Sequence, residues 1–126
     1  MTVYKVLIVG LGGFFGSATR YATTRFIDDR LNTFFPFGTF TVNLAGSFVL
    51  GLVFALATRK PEVTEHWRLF LGAGFCGGFT TFSAFTFENL NLLQQKMIPT
   101  AAVYIALSLF AGIAAVAFGA WVSRFF

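Results

Sequence analysis

Several polar residues lie within long hydrophobic segments of the chain, and their side chains are the ones that could interact with an ion. Asn43 is the clearest case, because an amide in a hydrocarbon environment loses several kcal/mol unless it forms hydrogen bonds. Thr39 and Ser47 lie four residues before and after it, so the three share one helical face. Two interpretations are open: the amide donates to a small anion in transit, or it forms a helix–helix hydrogen bond worth about 0.6 to 2 kcal/mol.

A second polar cluster lies in residues 72–91, which read GAGFCGGFTTFSAFTFENLN. The pair Gly77 and Gly78 lowers helix propensity by roughly 1 kcal/mol per residue relative to alanine, which predicts a break in the helix there. Irregular backbone at membrane depth is tolerated where it is buried in protein or lines a watery cavity. Carbonyl oxygens freed by the break could bind a hard cation such as Na⁺. Alternatively, the glycines permit a close helix crossing and Thr80 bonds to its own backbone.

Two phenylalanines in this cluster could also face an ion. Phe82 and Phe85 are three residues apart and lie on neighbouring parts of one helical face. The edge of a phenyl ring carries partial positive charge, so two ring edges directed into a narrow pore could favour an anion. Because the chain has 19 phenylalanines, packing is the simpler explanation for any one ring. Glu88 follows three residues after Phe85, where it could be merely interfacial.

The composition indicates an integral membrane protein. Of the 126 residues, 56% are hydrophobic and 11% are charged, whereas a soluble domain carries about 25% charged residues. The basic residues are scattered, so the net charge of +4 does not indicate nucleic-acid binding. Because a span needs about 20 residues, the sequence predicts an all-α membrane protein with one four-span domain over residues 1–126. The predicted spans are about 4–26, 38–58, 67–93 and 101–125.

The distribution of Lys and Arg predicts little preference for one orientation in the membrane. Four spans place both termini on one side. That side has Lys5, Arg59, Lys60, Arg68 and Arg124, and the opposite side has Arg20, Arg25, Arg30 and Lys96. Orientation depends on asymmetry in these charges, so the chain could insert in both directions and form an antiparallel homodimer. A single orientation set by one dominant loop is the alternative.

The residue types do not suggest an enzyme. The sequence shows no carboxylate pair, no His/Cys cluster and no nucleophile–base arrangement. Its single cysteine, Cys76, lies in an apolar run and excludes an intramolecular disulfide. In the fourth predicted span, Tyr104, Ser108 and Gly112 follow at intervals of four and share one helical face. These patterns favour transport or assembly over catalysis.

The segment GFCGGFTTFSAF at residues 74–85 resembles the signature of the fluoride channels called Fluc or CrcB. Residues 36–43 are similar to that family's P-x-G-T-x-x-x-N segment, and the glycine-rich first span ending in Ala-Thr-Arg-Tyr at 18–21 also fits. The resemblance covers essentially the whole chain. Ala84 and Gly112 stand where some relatives carry a hydroxyl residue, which thins the polar lining slightly.

This resemblance implies a passive channel in the cell (inner or plasma) membrane through which accumulated fluoride leaves, conferring fluoride resistance. It implies an antiparallel, dual-topology homodimer in the lipid bilayer, with two pores. A structural Na⁺ at the dimer centre would be held by backbone carbonyls of Gly77 and Thr80. The implied fluoride pathway comprises Asn43, Phe82 and Phe85, with weaker correspondence for Thr81, Ser83, Tyr104, Ser108 and Glu88.

Two other functions are compatible with a small four-span chain. A multidrug-type exporter would depend on a membrane-buried acidic residue in its first span, and none occurs between Val6 and Phe26. A non-transporting assembly subunit would use its glycines for packing. Replacing Asn43 or Phe82 in such a subunit would change stability but not ion flux.

Overall fold

The computed structural model describes residues 2–126, whose regular structure is helical, as the sequence predicts. Four helical stretches follow one another, and the third is interrupted. The first, second and fourth stretches are single helices: α1 (Val3–Leu31), α2 (Phe37–Arg59) and α6 (Ile98–Val122). The third stretch consists of α3 (Glu65–Trp67), a π-helical segment (Arg68–Cys76), α4 (Gly77–Phe79) and α5 (Phe82–Gln94). A 3₁₀ turn, Ser123–Phe125, ends the last stretch.

Within residues 2–126, three stretches are long and apolar enough to cross a membrane: Phe37–Arg59, Glu65–Gln94 and Ile98–Phe125. The helix α1 is the longest single helix, with 29 residues, or about 44 Å at a rise of 1.5 Å per residue. It continues past the predicted end of the first span, at residue 26, through the charged residues Asp28, Asp29 and Arg30. These charges can be solvated because a helix may extend beyond the hydrocarbon layer.

The third stretch is broken just beyond the glycine pair where the break was predicted. The backbone is extended at Thr80 (φ −91°, ψ 157°) and at Thr81 (φ −152°, ψ 122°). Gly77 and Gly78, by contrast, are helical. Packing, rather than an unusual backbone conformation, requires a glycine at position 78. A Cβ on Gly78 would lie 2.6 Å from the carbonyl oxygen of Gly13 on α1. The absence of a side chain at this position lets α4 lie directly against α1.

Glycines also bring the other helix backbones together. Gly12 and Gly16 on α1 are buried, and a Cβ on Gly16 would lie 2.9 Å from the backbone nitrogen of Phe79. Between α2 and α6, a Cβ on Gly51 would collide with the carbonyl of Val116, and one on Gly119 would lie 2.9 Å from the nitrogen of Leu52. Such close approach compensates for the weak hydrophobic drive between helices in lipid.

Side chains hold both ends of α2 in place. Asp28 Oδ1 accepts a hydrogen bond of 3.1 Å from the Gly38 backbone N–H, and a carboxylate is favourable near a helix N-terminus. At the other end, Arg59 Nη2 donates to the Ser123 carbonyl and, at 3.2 Å, to Ser123 Oγ. These contacts set the position of α2, which carries Asn43.

Candidate functional site

Asn43 bridges the break in the third helical stretch. Its Nδ2 donates to the Thr81 carbonyl at 3.1 Å, and its Oδ1 accepts from the Thr81 N–H at 2.7 Å. A carboxamide can serve both groups because it carries a donor and an acceptor in one plane. The amide thereby pairs the Thr81 N–H, whose bond to the Gly77 carbonyl the break removes, and adds a second bond at the Thr81 carbonyl. Since Nδ2 has two hydrogens and only one is used here, the other can donate to a further acceptor.

Thr81 begins α5 at this point. Its Oγ1 accepts a hydrogen bond of 3.1 Å from the Ala84 N–H and so caps the helix. The same oxygen lies 3.3 Å from Ser83 Oγ. The cap directs the N-terminus of α5 towards Asn43, and the positive end of a helix dipole favours a negative charge nearby. Ser83 itself is exposed.

A cavity of about 360 Å³ opens beside the break. Its walls come from α2, the break, α5 and α6. The lining residues are Asn43, Leu44, Ser47, Thr80, Thr81, Phe82, Phe85, Ile105, Ser108, Leu109 and Gly112. The structure thus brings together five of the predicted pathway residues: Asn43, Thr81, Phe82, Phe85 and Ser108. A mostly apolar lining with a few convergent polar groups is typical of a binding site for a small ligand.

The two phenyl rings at the cavity differ in how they are held. The ring centroids of Phe82 and Phe85 lie 5.8 Å apart, with 40° between the planes. Phe85 is half-buried and makes an edge contact with Tyr104 at 5.0 Å between centroids. Phe82, by contrast, is 76% exposed in the single chain. Within this one chain, the wall of the cavity is therefore open beside Phe82.

Glu88 is the centre of a second polar cluster. Thr39 Oγ1 donates to its Oε2 at 2.6 Å, and the Tyr104 hydroxyl donates to its Oε1 at 2.9 Å. Thr39 and Tyr104 are 3% and 0% exposed, so the cluster joins α2, α5 and α6 inside the molecule. Glu88 is therefore not merely interfacial. Thr39 was not predicted as a site residue, and its only signal in the sequence was its spacing of four residues from Asn43.

Ser108 is the predicted residue whose hydrogen-bonding capacity is least satisfied. Its Oγ is buried and, among the described residues, has no hydrogen-bond partner. Native structures rarely leave a buried polar atom unpaired unless a water, an ion or a function accounts for it. Because the residue also lines the cavity, its hydroxyl can donate to a ligand there.

The backbone at the break offers carbonyl oxygens of the kind that bind Na⁺. The Thr81 N–H, which would bond to the Gly77 carbonyl in a continuous helix, donates to Asn43 instead. Arg20 Nε donates to the Gly78 carbonyl at 3.0 Å. Thr80 Oγ1 donates to the Cys76 carbonyl at 2.8 Å, which confirms that this threonine bonds to its own backbone. Neutral carbonyl oxygens at an unwound segment suit a hard monovalent cation, so the donor set at Gly77 and Thr80 fits Na⁺.

The described residues do not form a metal centre of another type. Within residues 2–126, no three His, Cys, Asp or Glu side chains come close enough to hold a metal ion. The cavity presents amide and hydroxyl groups beside two phenyl rings, all of which can contact an ion. The fold and the site define a helical membrane protein with a cavity suited to a small ion.

Comparison with known proteins identifies the family. Residues 7–120 match the family model described as CrcB-like protein, Camphor Resistance (CrcB), and the chain belongs to this family. It is 44% identical over 110 residues to the fluoride-specific ion channel FluC of Flavobacterium psychrophilum, with 87% of this chain and 89% of the relative covered. It is 39% identical over 122 residues to the protein of the same name from Azobacteroides pseudotrichonymphae, with 97% and 98% covered.

Membership in this family confirms the resemblance seen at residues 74–85. A third relative, the fluoride-specific ion channel FluC of Acidobacterium capsulatum, is 41% identical over 115 residues, which are 91% of this chain and 92% of the relative. The protein is a multi-pass plasma-membrane protein and is not an enzyme.

Proposed function

We propose that this protein is a fluoride-selective channel through which F⁻ leaves the cytoplasm passively. The observation that carries the proposal is the cavity at the helix break, where the Asn43 amide, the Ser108 hydroxyl and the rings of Phe82 and Phe85 converge. The relatives, which are named fluoride-specific ion channels, are similar over most of the chain and support the same conclusion.

The chemistry of the lining suits fluoride. Fluoride is small and strongly hydrated, so a pore must replace its water with hydrogen-bond donors. The second Nδ2 hydrogen of Asn43 and the unpaired hydroxyl of Ser108 are such donors. The positive edges of Phe82 and Phe85 would provide weaker contacts around the ion. Chloride has the same charge, so its exclusion follows from its larger size and from donor geometry.

The proposal includes four spans and an antiparallel homodimer with two pores. Phe82 is 76% exposed, and the cavity wall beside it is open in a single chain. A second copy inserted in the opposite direction would cover this side and complete the wall. The near-equal numbers of Lys and Arg predicted on the two sides, five and four, agree with insertion in both directions.

The proposal also includes a structural Na⁺ at the dimer centre, held by the backbone carbonyls of Gly77 and Thr80. When bound, this cation would supply positive potential that favours an anion in a medium of low dielectric constant. Arg20 adds a positive charge close by, through its hydrogen bond to the Gly78 carbonyl. Gly77 is exposed, with nothing within 4 Å of the position of a Cβ, so a second chain could approach this part of the backbone.

Ion efflux from liposomes tests this function. Purified protein is reconstituted with internal KF or KCl, and electrodes follow F⁻ or Cl⁻ after valinomycin is added. We expect rapid fluoride release that requires valinomycin, because passive anion flow needs a countercharge, and little chloride release. Equal release of both ions, or fluoride release without valinomycin, would contradict a selective channel. Release of neither ion would favour an exporter or an assembly subunit.

Labelling of introduced cysteines from each side of the membrane tests the dimer. A Cys76→Ser background with one cysteine in the 60–64 loop should be labelled from both sides in intact cells. Crosslinking of this loop to a cysteine placed in the 32–36 segment of the partner, which lies at the other end of α2 and so on the same side in an oppositely inserted copy, should then trap antiparallel pairs. Labelling from one side only would contradict the dual topology.

A further inference from the structure

Two polar side chains of the cavity lie outside the proposed fluoride pathway. The Thr80 hydroxyl donates to the Cys76 carbonyl, which leaves the hydroxyl of Ser47 on α2. Ser47 is half-buried and lies one helical turn beyond Asn43. On α6, the corresponding turn beyond Ser108 carries Gly112, which has no side chain. A role for Ser47 at this second level of the cavity, beside Gly112, rests on the proposed function.

The helices α2 and α6 run in the same direction, and two pairs of residues that lie together share one offset in residue number. Thr39 and Tyr104 donate to the same carboxylate, and Gly51 lies against Val116. Both pairs differ by 65 (104 − 39 and 116 − 51). The same offset places Asn43 beside Ser108 and Ser47 beside Gly112, and all four residues line the cavity. At the first level of the cavity, Asn43 and Ser108 are both polar. At the second level, one turn further along, Ser47 is polar and Gly112 has no side chain.

In the described part of the chain, some helical hydroxyls donate to backbone carbonyls of their own helix, whereas others, Ser47 among them, do not. Thr19 and Thr58, for example, donate to the carbonyl four residues earlier, at 2.7 and 2.9 Å, which is the usual arrangement in a helix. Within residues 2–126, Ser47 makes no such bond. Its O–H can therefore donate to a ligand, as can that of Ser108, whose Oγ is buried and unpaired.

We propose that Ser47 contacts the permeating anion and is the hydrogen-bond donor at the level of Gly112. The row of donors then passes from Asn43 and Ser108 to Ser47 on α2. An interval of four residues corresponds to about 6 Å along a helix. Fluoride that leaves Asn43 and Ser108 would therefore reach the next hydrogen-bond donor, Ser47, after a step of this length. Without Ser47, the second level would offer only apolar groups and a glycine.

Variants at both helices test this proposal through fluoride efflux from liposomes. Ser47→Ala should slow fluoride release by about tenfold or more, the loss expected when an ion loses one hydrogen bond. Ser47→Thr keeps a hydroxyl and should conduct nearly as well as the natural chain. The matched control is Thr58→Ala, on the same helix but outside the cavity, which should not change the rate. Dimer content by size-exclusion chromatography and the melting temperature should be unchanged in Ser47→Ala.

A second substitution separates an ion contact from a packing role. Nothing lies within 4 Å of a Cβ placed on Gly112, so Gly112→Ser can be accommodated and would return a hydroxyl to the same level. The double variant Ser47→Ala, Gly112→Ser should therefore recover most of the fluoride rate. Failure of that recovery, or a normal rate in Ser47→Ala, would overturn the role of Ser47 while leaving the channel intact. Absence of fluoride release from the natural chain would instead refute the proposed function.

Discussion

The glycines of the α1 interface and the glycine of the cavity illustrate two different uses of the same residue. At the interface between α1 and the third stretch, Gly12, Gly16 and Gly78 each lie where a Cβ would overlap backbone of the neighbouring helix. At the cavity, Gly112 has no atom within 4 Å of its Cβ position. The first region is a scaffold in which the glycines are required for close packing. The second region is open, and the Ser108 hydroxyl there lacks a hydrogen-bond partner among residues 2–126.

Hydrogen bonding shows the same contrast. On α1, Ser17 and Thr19 donate to carbonyls of their own helix, and Arg20 donates to Gly78. At the cavity, Ser108 and one hydrogen of the Asn43 amide remain free to interact. Substitutions in the scaffold should therefore affect folding, whereas substitutions at the cavity should affect ion flux. The following predictions test this division.

The largest effect is expected at Gly16. A leucine at this position would overlap the backbone of Phe75 and Phe79, with a Cβ 2.9 Å from the Phe79 nitrogen. Because backbone cannot move aside as a side chain can, the cost should exceed the roughly 1 to 3 kcal/mol of ordinary overpacking. Gly16→Leu should yield little folded protein by size-exclusion chromatography. Gly10→Leu, at a position with open space around it, is the control and should fold normally.

Asn43→Ala should reduce both stability and flux. It removes two hydrogen bonds to the Thr81 backbone and leaves the Thr81 N–H unpaired, at a cost of about 1 to 3 kcal/mol in a buried site. Thermal unfolding in detergent should therefore occur at a lower temperature, and fluoride efflux should fall at least tenfold in the protein that remains folded. Full flux in a folded variant would mean that the amide only joins helices.

Phe82→Ile and Phe85→Ile should lower fluoride flux while the dimer still forms. Isoleucine fills space but lacks the positive ring edge that would contact an anion. Phe85→Ile should also cost some stability, because the Phe85 ring packs on Tyr104, whereas Phe82 is largely exposed within the chain. Efflux and size-exclusion chromatography are measured on the same preparations. Unchanged flux in both variants would remove the phenyl rings from the mechanism.

The sequence was sufficient to predict the helices, a break in the third stretch and hydrogen bonding by the Asn43 amide, because these follow from local composition and from the cost of a buried amide. The break was predicted near Gly77 and Gly78, and it lies slightly further along, at Thr80 and Thr81. Gly78 remains helical because it packs against Gly13, and the helix opens at Thr80, where Asn43 takes over the hydrogen bonds. That contact joins residues 38 positions apart, so no local pattern could reveal it.

The clusters between helices were predicted only in part. Glu88 and Tyr104 were both expected to be polar lining, but the hydrogen bond from Thr39 to Glu88 was not foreseen. Its partners lie 49 residues apart, and a threonine on an apolar helix usually bonds to its own backbone. Likewise, the spacing of Asn43 and Ser47 showed one helical face but not that this face meets Ser108 and Gly112 across a cavity.

The most direct test of the account compares one hydroxyl from each region in the same fluoride efflux assay. Ser108→Ala removes the unpaired hydroxyl of the cavity, and Thr19→Ala removes a hydroxyl that bonds to the Phe15 carbonyl on the exposed side of α1. The account predicts that Ser108→Ala slows fluoride release by about tenfold, the effect of one lost hydrogen bond to an ion, and that Thr19→Ala releases fluoride at the natural rate. Equal rates in the two variants would show that fluoride does not pass through this cavity.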